Sequence, residues 1–411
     1  MTEVLVVLDD DPTGTQGVAG VDVVLDCDAE PEVEGDVVHV ETSSRALPPE
    51  GARGAVARAA GYARSRWPGC RIVLRGDSTL RGHVLEEYDA LCGVVGGAPP
   101  LLLVPALPSA RRVTVDGTQW LVDPARGRVA LHDTEFARDG AFSYDDARVA
   151  TWADARSGGR FPAAAATEIP LARLRASGGA AVADAIADAG DRTVVVADAE
   201  SDGDVALVAA GVRLAWDREL EVVVRCAPAL AAELTQRRAH RLVTPPPVDD
   251  VLVVAGSFVS GTTRQLERLE AERPGTLVEA DLERLVSSDG GEVARLVAAA
   301  TERLADRRLA VVATPRARRD LDAGAAWEAA ETLARVAGSV AAGAVVAKGG
   351  VTSAVTARGL GAASARVEGP LLPGVSLWTA RTPTGDRPFV VVPGNVGDDD
   401  LLLDVVSLLG A

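Results

Sequence analysis

Lysine, asparagine and methionine are almost missing from this chain. Of its 42 basic residues only Lys348 is a lysine, Asn395 is the one asparagine, and Met1 is the one methionine. Cysteine is scarce too. Cys27, Cys70, Cys92 and Cys226 stand far apart with no C-x-x-C pair, and His39, His83, His132 and His240 are equally scattered. That excludes a zinc pattern and argues against a disulfide framework in a chain of 411 residues. No apolar run approaches the ~20 residues that span a membrane. The N-terminal run into Asp9-Asp10-Asp11 reads as a strand rather than a signal peptide, so the expected compartment is the cytoplasm. No G-x-x-x-x-G-K-[ST] occurs, which excludes a P-loop, and no G-x-G-x-x-G follows a strand, which weighs against a dinucleotide dehydrogenase. Positive charge is outnumbered, 42 basic against 59 acidic residues, for a net charge of −17. Such a surface repels nucleic acid and anionic lipid. An anionic substrate would need a locally positive pocket.

What is present is a globular balance, 47% hydrophobic and 25% charged, in a length that suits two domains. Short Val/Leu runs alternate with Ala/Arg/Leu stretches of helical length, the rhythm of βαβ units with buried parallel strands. The expected fold is α/β, two Rossmann-like domains with mainly parallel sheets. Strands are expected at Val4–Leu8, Val21–Leu25, Val37–Val40, Arg71–Leu74, Leu101–Val104, Val194–Ala197, Glu221–Val224, Val251–Ala255, Leu309–Ala313, Ala344–Ala347 and Phe389–Val392. The stretch Val113–Arg160 reads as irregular or hairpin structure. Pro245-Pro246-Pro247 favours a stiff, extended segment and sets the expected boundary between domains 1–244 and 249–411.

Three second-half strands run into small-residue turns that open helices: Gly256-Ser257, then Lys348-Gly349-Gly350-Val351-Thr352, then Pro393-Gly394-Asn395-Val396-Gly397. In a parallel sheet such turns share the edge where ligands bind, and free N–H groups at helix starts suit an anion. Any one of them is ordinary connector chemistry. The lone lysine and the lone asparagine both fall inside such turns, however, and a compact ammonium suits a phosphate oxygen. Asp398-Asp399-Asp400, at a helix start, reads as capping sooner than magnesium coordination.

In the first half, Asp9-Asp10-Asp11-Pro12-Thr13-Gly14 follows the first strand. Three adjacent carboxylates repel one another and need a cation, a ligand or full solvation. One of them could serve as the general base that takes a hydroxyl proton. Arg75-Gly76-Asp77-Ser78-Thr79-Leu80-Arg81-Gly82-His83 follows another strand and mixes guanidinium forks with hydroxyl-binding groups, as a pocket for a polyhydroxy acid would. Arg111 and Arg112, after the strand Leu101–Val104, add positive charge.

At these residues the sequence resembles the four-carbon acid sugar kinase family, also called DUF1537. The resemblance rests on Asp10 to Gly14, Asp77 to Gly82, the spaced Arg112, Thr114 and Gly117, Gly349 to Thr352, and Pro393 to Gly397, in family order across nearly the whole chain. It implies an N-terminal acid-sugar domain, a C-terminal nucleotide domain and an active site in the cleft between them. Carried over, Asp10, Asp11, Asp77, Ser78, Thr79, Arg81 and Arg112 would hold the sugar acid. Ser257, Gly349, Gly350, Thr352, Gly394, Asn395 and Gly397 would hold ATP. Members act on threonate-like, erythronate-like or oxo-tetronate-like acids. Pro12, Asp9, Thr15-Gln16, Arg75 and His83 depart from the family pattern, all on the sugar side.

The expected chemistry is phosphoryl transfer. Lys348 and the glycine turns would hold a triphosphate bridged by Mg²⁺, and Arg81 and Arg112 would clamp the substrate carboxylate. Asp11 or Asp77 would accept the proton. Domain closure at the Pro245–Pro247 hinge would exclude water. The rivals are a hydroxy-acid dehydrogenase or decarboxylase and a non-catalytic sensor of sugar acid and nucleotide. The partners expected are small molecules, with neither nucleic acid nor membrane, and a homodimer as the commonest assembly.

Overall fold

The computed structural model describes residues 4–138, 140–316 and 323–411. The chain folds into two compact units, neither contiguous in sequence. One comprises Met1–Asp10 and Leu47–Arg238, the other Asp11–Ala46 and Ala239–Ala411. The chain therefore changes unit within the aspartate run, between Asp10 and Asp11. Among the described residues, no helix is long and apolar enough to cross a membrane.

The first unit is built on a wholly parallel run of strands. Their order is Leu5–Asp9, Arg71–Arg75, Val223–Cys226, Leu101–Val104, Val194–Ala197 and Thr167–Ile169. Valine and leucine fill them because both faces are covered by helices, and Val7, Val73, Leu102, Val195 and Val224 are wholly enclosed. The helix Asp202–Asp217 opens on a capping box, Ser201 accepting from Asp204 N while the Asp204 carboxylate accepts from Ser201 N. Within 113–160 lies a three-stranded antiparallel sheet of Arg112–Val115, Thr118–Asp123 and Gly127–Ala130, followed by a helix at Val149–Arg156.

The second unit carries the parallel order Leu277–Glu279, Leu309–Ala313, Val251–Ala255, Ala344–Lys348 and Gly385–Val392. An antiparallel meander continues it through Val375–Thr382 and Ser364–Leu372. Val21–Val24 then pairs antiparallel with Ser364–Leu372 and parallel with Val37–Glu41. The meander was legible only at Phe389–Val392. Ser364–Leu372 is interrupted by Gly369 and Pro370, and Val375–Thr382 ends in Thr379-Ala380-Arg381-Thr382, so neither shows an unbroken apolar run. Nor does the acidic run 398–400 cap a helix by side chain. Asp400 makes no capping bond, and Asp399 and Asp400 instead pair with Arg264 and Arg268 at 2.7 Å each.

Candidate functional site

In the first unit, parallel register aligns strand ends: Asp9 lies beside Arg75, Arg75 beside Cys226, and Cys226 beside Val104. Charges that reach this buried edge are neutralised in pairs. Arg75 Nε donates to Asp9 Oδ1 and its Nη1 to Asp10 Oδ1, both at 2.8 Å. From the next strand, Arg225 Nε donates to Glu87 Oε2 at 2.8 Å. The Arg225 guanidinium lies against two glycines. A Cβ on Gly76 would fall 2.6 Å from its Cζ, and one on Gly82 2.5 Å from its Nη2. Burial opposes this charge, but the carboxylates of Glu87, Asp10 and Asp77 outweigh it and hold the guanidinium above its ordinary pKa.

The loop after Arg75 gathers the predicted acid-sugar residues. Asp77 accepts from Thr79 Oγ1 and, at 2.6 Å, from Arg81 Nε. Arg112 Nη1 donates to Ser78 Oγ at 2.9 Å, and its guanidinium sits 5.0 Å from the Phe136 ring. Gln119 Nε2 donates to Ser78 O and Pro105 O at 2.9 and 3.0 Å, while its Oε1 accepts from Thr114 Oγ1. Gln119 thereby ties the antiparallel sheet that carries Arg112 to the loop that carries Ser78. Tyr144 donates its hydroxyl to Thr79 O at 2.9 Å. Burial pulls the Arg112 pKa down and Asp77 only partly restores it. Among the described residues Arg112 has no ion-pair partner, and its buried Nε has no acceptor.

In the second unit the three glycine turns meet. Gly394 passes so close to Ser257 that a Cβ would lie 2.8 Å from Ser257 Oγ, and a Cβ on Gly256 would lie 2.5 Å from Thr352 Oγ1. Gly349 holds φ at +114° as the chain turns from strand Ala344–Lys348 into helix Gly350–Gly359. Asp11 belongs here. Its carboxylate accepts from Thr13 N at 2.8 Å to cap the turn Pro12–Gly17 and pairs with Arg45 at 2.5 Å. The same carboxylate lies against Gly350, where any Cβ would collide with it. Lys348 is fully enclosed; its Nζ donates to Pro393 O at 2.7 Å, and burial brings its pKa down to about 7. Asn395 and Gly397 are exposed on the same turn as Gly394, which Thr262 and Gln265 brace by donating to the carbonyls of Gly394, Val396 and Asp398.

The aspartate run is thus divided by role as well as by unit. Asp9 and Asp10 share Arg75, while Asp11 faces the glycine turns with Arg45. Arg45, Arg225, Glu87 and Gln119 escaped the sequence reading. Arg45 had a signal, since Glu41-Thr42-Ser43-Ser44-Arg45 is another polar stretch after an apolar strand, and Ser43 there adopts φ +50°. Arg225 had a fainter one, a charge inside the run Val223-Val224-Arg225-Cys226.

Residues 5–234 match the family model of a sugar-binding N-terminal domain, and residues 252–402 that of a nucleotide-binding C-terminal domain. The chain belongs to the four-carbon acid sugar kinase family. It is 28% identical over 430 aligned positions to a D-threonate kinase of Salmonella typhimurium, covering 98% of this chain and 97% of that protein. It is 32% identical over 292 positions to a D-erythronate kinase of Heliobacterium modesticaldum, covering 68% of this chain and 61% of the relative. The fold is shared with a solved structure from Salmonella typhimurium LT2, provisionally described as a tRNA synthase, at TM-score 0.73 and 18% identity over 98% of this chain and 99% of that one. A DUF1537 protein of Haemophilus influenzae shares it at TM-score 0.67 and 19% identity, over 98% and 100% of the two chains.

Proposed function

We propose that this protein transfers the terminal phosphate of ATP to a hydroxyl of a four-carbon acid sugar. The reading rests on Arg112, a partly buried cation set among hydroxyl-bearing residues, whose charge Asp77 only partly offsets and which forms no ion pair among the described residues. A substrate carboxylate supplies that ion-pair partner, and Asp77, Ser78, Thr79 and Arg81 bind the substrate's hydroxyl groups. Asp10, held by Arg75, fixes the edge on which this loop stands. The turns of Ser257, Gly349-Gly350 and Gly394-Asn395-Gly397, with Thr352, receive the nucleotide phosphates on backbone N–H groups. Lys348 shapes that site by tying one turn to another.

Asp11 is the general base in this reading, because its carboxylate stands at the Gly350 turn where a terminal phosphate would be received. Magnesium would be brought in with the nucleotide, held chiefly by its phosphates. When bound, the ion neutralises charge on the phosphates. The chain's own residues orient the two substrates, and Arg45 holds Asp11 in place.

The test is ADP production with Mg²⁺-ATP across a panel containing D-threonate, D-erythronate and 3-oxo-tetronates. Turnover dependent on one acid, abolished in Asp11→Asn and Asp77→Asn, supports the reading. Binding of acid and nucleotide without turnover of any panel member points instead to a sensor.

A further inference from the structure

We propose that Arg316 is a phosphate-binding residue of the nucleotide site. The inference rests on the nucleotide-binding reading of the second unit and adds a residue that no motif points to. The strand Leu309–Ala313 lies beside Val251–Ala255, with Ala313 in register with Ala255. The chain leaves it as Thr314-Pro315-Arg316, next to the turn that holds Ser257.

Arg316 folds back on this edge. Its Nε and Nη2 donate to Thr314 O at 3.0 and 2.8 Å, Nη2 donates also to Thr314 Oγ1, and Nη1 donates to Ser257 O at 2.9 Å. The guanidinium sits 5.8 Å from the Phe258 ring. Every acceptor among the described residues is a neutral carbonyl or hydroxyl oxygen. Among the described residues no carboxylate forms an ion pair with it, and burial lowers its pKa while the charge of Glu279 opposes the shift. A guanidinium carries five N–H groups, so the described residues leave one Nη1 hydrogen unused.

A half-buried cation without an ion-pair partner among the described residues is costly to keep. Here it is locked in place by neutral bonds, pre-organised for an anion and anchored on the very turn that the glycine geometry assigns to nucleotide. Lys348 cannot supply that charge while its ammonium is enclosed against Pro393 O. The ligand chemistry is the phosphoryl oxygens of a nucleoside polyphosphate.

The experiment is calorimetric titration of the wild type, Arg316→Gln and Arg316→Lys with Mg²⁺-ATP, Mg²⁺-ADP, pyrophosphate and adenosine. Arg316→Gln should weaken ATP and ADP about tenfold or more, the scale of one charge-assisted contact. Adenosine binding should stay within about twofold, and Arg316→Lys should fall between. Weakening of pyrophosphate in the same variant would assign the contact to the phosphates alone, whereas unchanged pyrophosphate with weaker ATP would assign it to phosphates presented on a nucleoside. Equal losses for adenosine and ATP would mean that Arg316 only braces the Ser257 turn, and no loss at all would remove it from the site; either overturns the proposal. Should Arg316→Gln not fold, the Arg316→Lys comparison of ATP with adenosine decides alone. A wild type that binds no nucleotide would instead sink the underlying reading.

Discussion

The Lys348 ammonium donates to the carbonyl of Pro393 at 2.7 Å, joining the ends of two neighbouring parallel strands from inside the protein. That bond makes stability depend on pH in a particular direction. Burial lowers the folded-state pKa to about 7, while an unfolded lysine titrates near ~10.4. Between those values the unfolded chain holds a proton that the folded chain has released, so stability rises with pH. Below about 7 the fold carries a buried charge and loses that advantage. Urea unfolding at pH 7, 8, 9 and 10 should show the wild type gaining on Lys348→Met as pH rises. A constant difference across the series would mean the ammonium is not titrating in the fold.

Gly350 offers a sharper test of the turn where Asp11 stands. A methyl group there would run into the Asp11 carboxylate, so Gly350→Ala must displace the proposed base or shift the turn. A displacement of about 1 Å from a productive geometry costs roughly 100-fold in rate. Turnover should fall by that order while the melting temperature changes little. Gly93→Ala is the control: a Cβ there meets nothing within 4 Å, in the last turn of the helix Val84–Val95. It should leave rate unchanged and raise stability by a few tenths of a kcal/mol up to about 1.

The contrast between those two glycines also marks what the sequence could convey. Parallel strands such as Leu101–Val104, Val194–Ala197, Val251–Ala255 and Leu309–Ala313 were read to the residue, because a strand buried on both faces must be an unbroken apolar run. The glycine turns after them were equally plain. The partition of Asp10 from Asp11 was not. Adjacent aspartates look alike in a string, and only the three-dimensional placement of Arg75 and Arg45 assigns them to separate units. Lys348 shows the opposite limit. Its rarity drew attention to the position, but composition cannot tell an ammonium that faces a ligand from one enclosed against a carbonyl. Arg225 was hidden for a related reason, since a charge within a strand is read as the strand's end unless its partner Glu87 is visible.

In the proposed reading, Arg112 is the residue that would separate acid recognition from nucleotide recognition. Its Nη1 bonds Ser78 Oγ, and its charge, only partly offset by Asp77, forms no ion pair among the described residues. Arg112→Gln should raise KM for the acid by about tenfold or more, in line with the loss of a charge-assisted hydrogen bond. KM for ATP should move less than about twofold. Arg112→Lys should recover only part, because a single ammonium cannot reproduce the planar fork. Steady-state kinetics with each substrate varied in turn makes the comparison. A parallel rise in both KM values would place Arg112 outside acid recognition.

The Arg225–Glu87 pair predicts a result that depends on which partner is removed. Arg225 is 5% exposed and Glu87 3%, with a 2.8 Å bond between them. Arg225→Met would remove the cation that bonds the buried Glu87 carboxylate at 2.8 Å, and would also take a positive charge away from Asp10 and Asp77. The expected cost is about 3–5 kcal/mol, the scale for breaking a buried ion pair from one side. Adding Glu87→Gln to Arg225→Met removes the buried negative charge that Arg225 had balanced, so the double variant should be more stable than Arg225→Met alone. Denaturant unfolding of the four proteins in this cycle gives the coupling directly. If the two losses simply add, Arg225 is held chiefly by its packing against Gly76 and Gly82, and its charge serves the neighbouring aspartates alone.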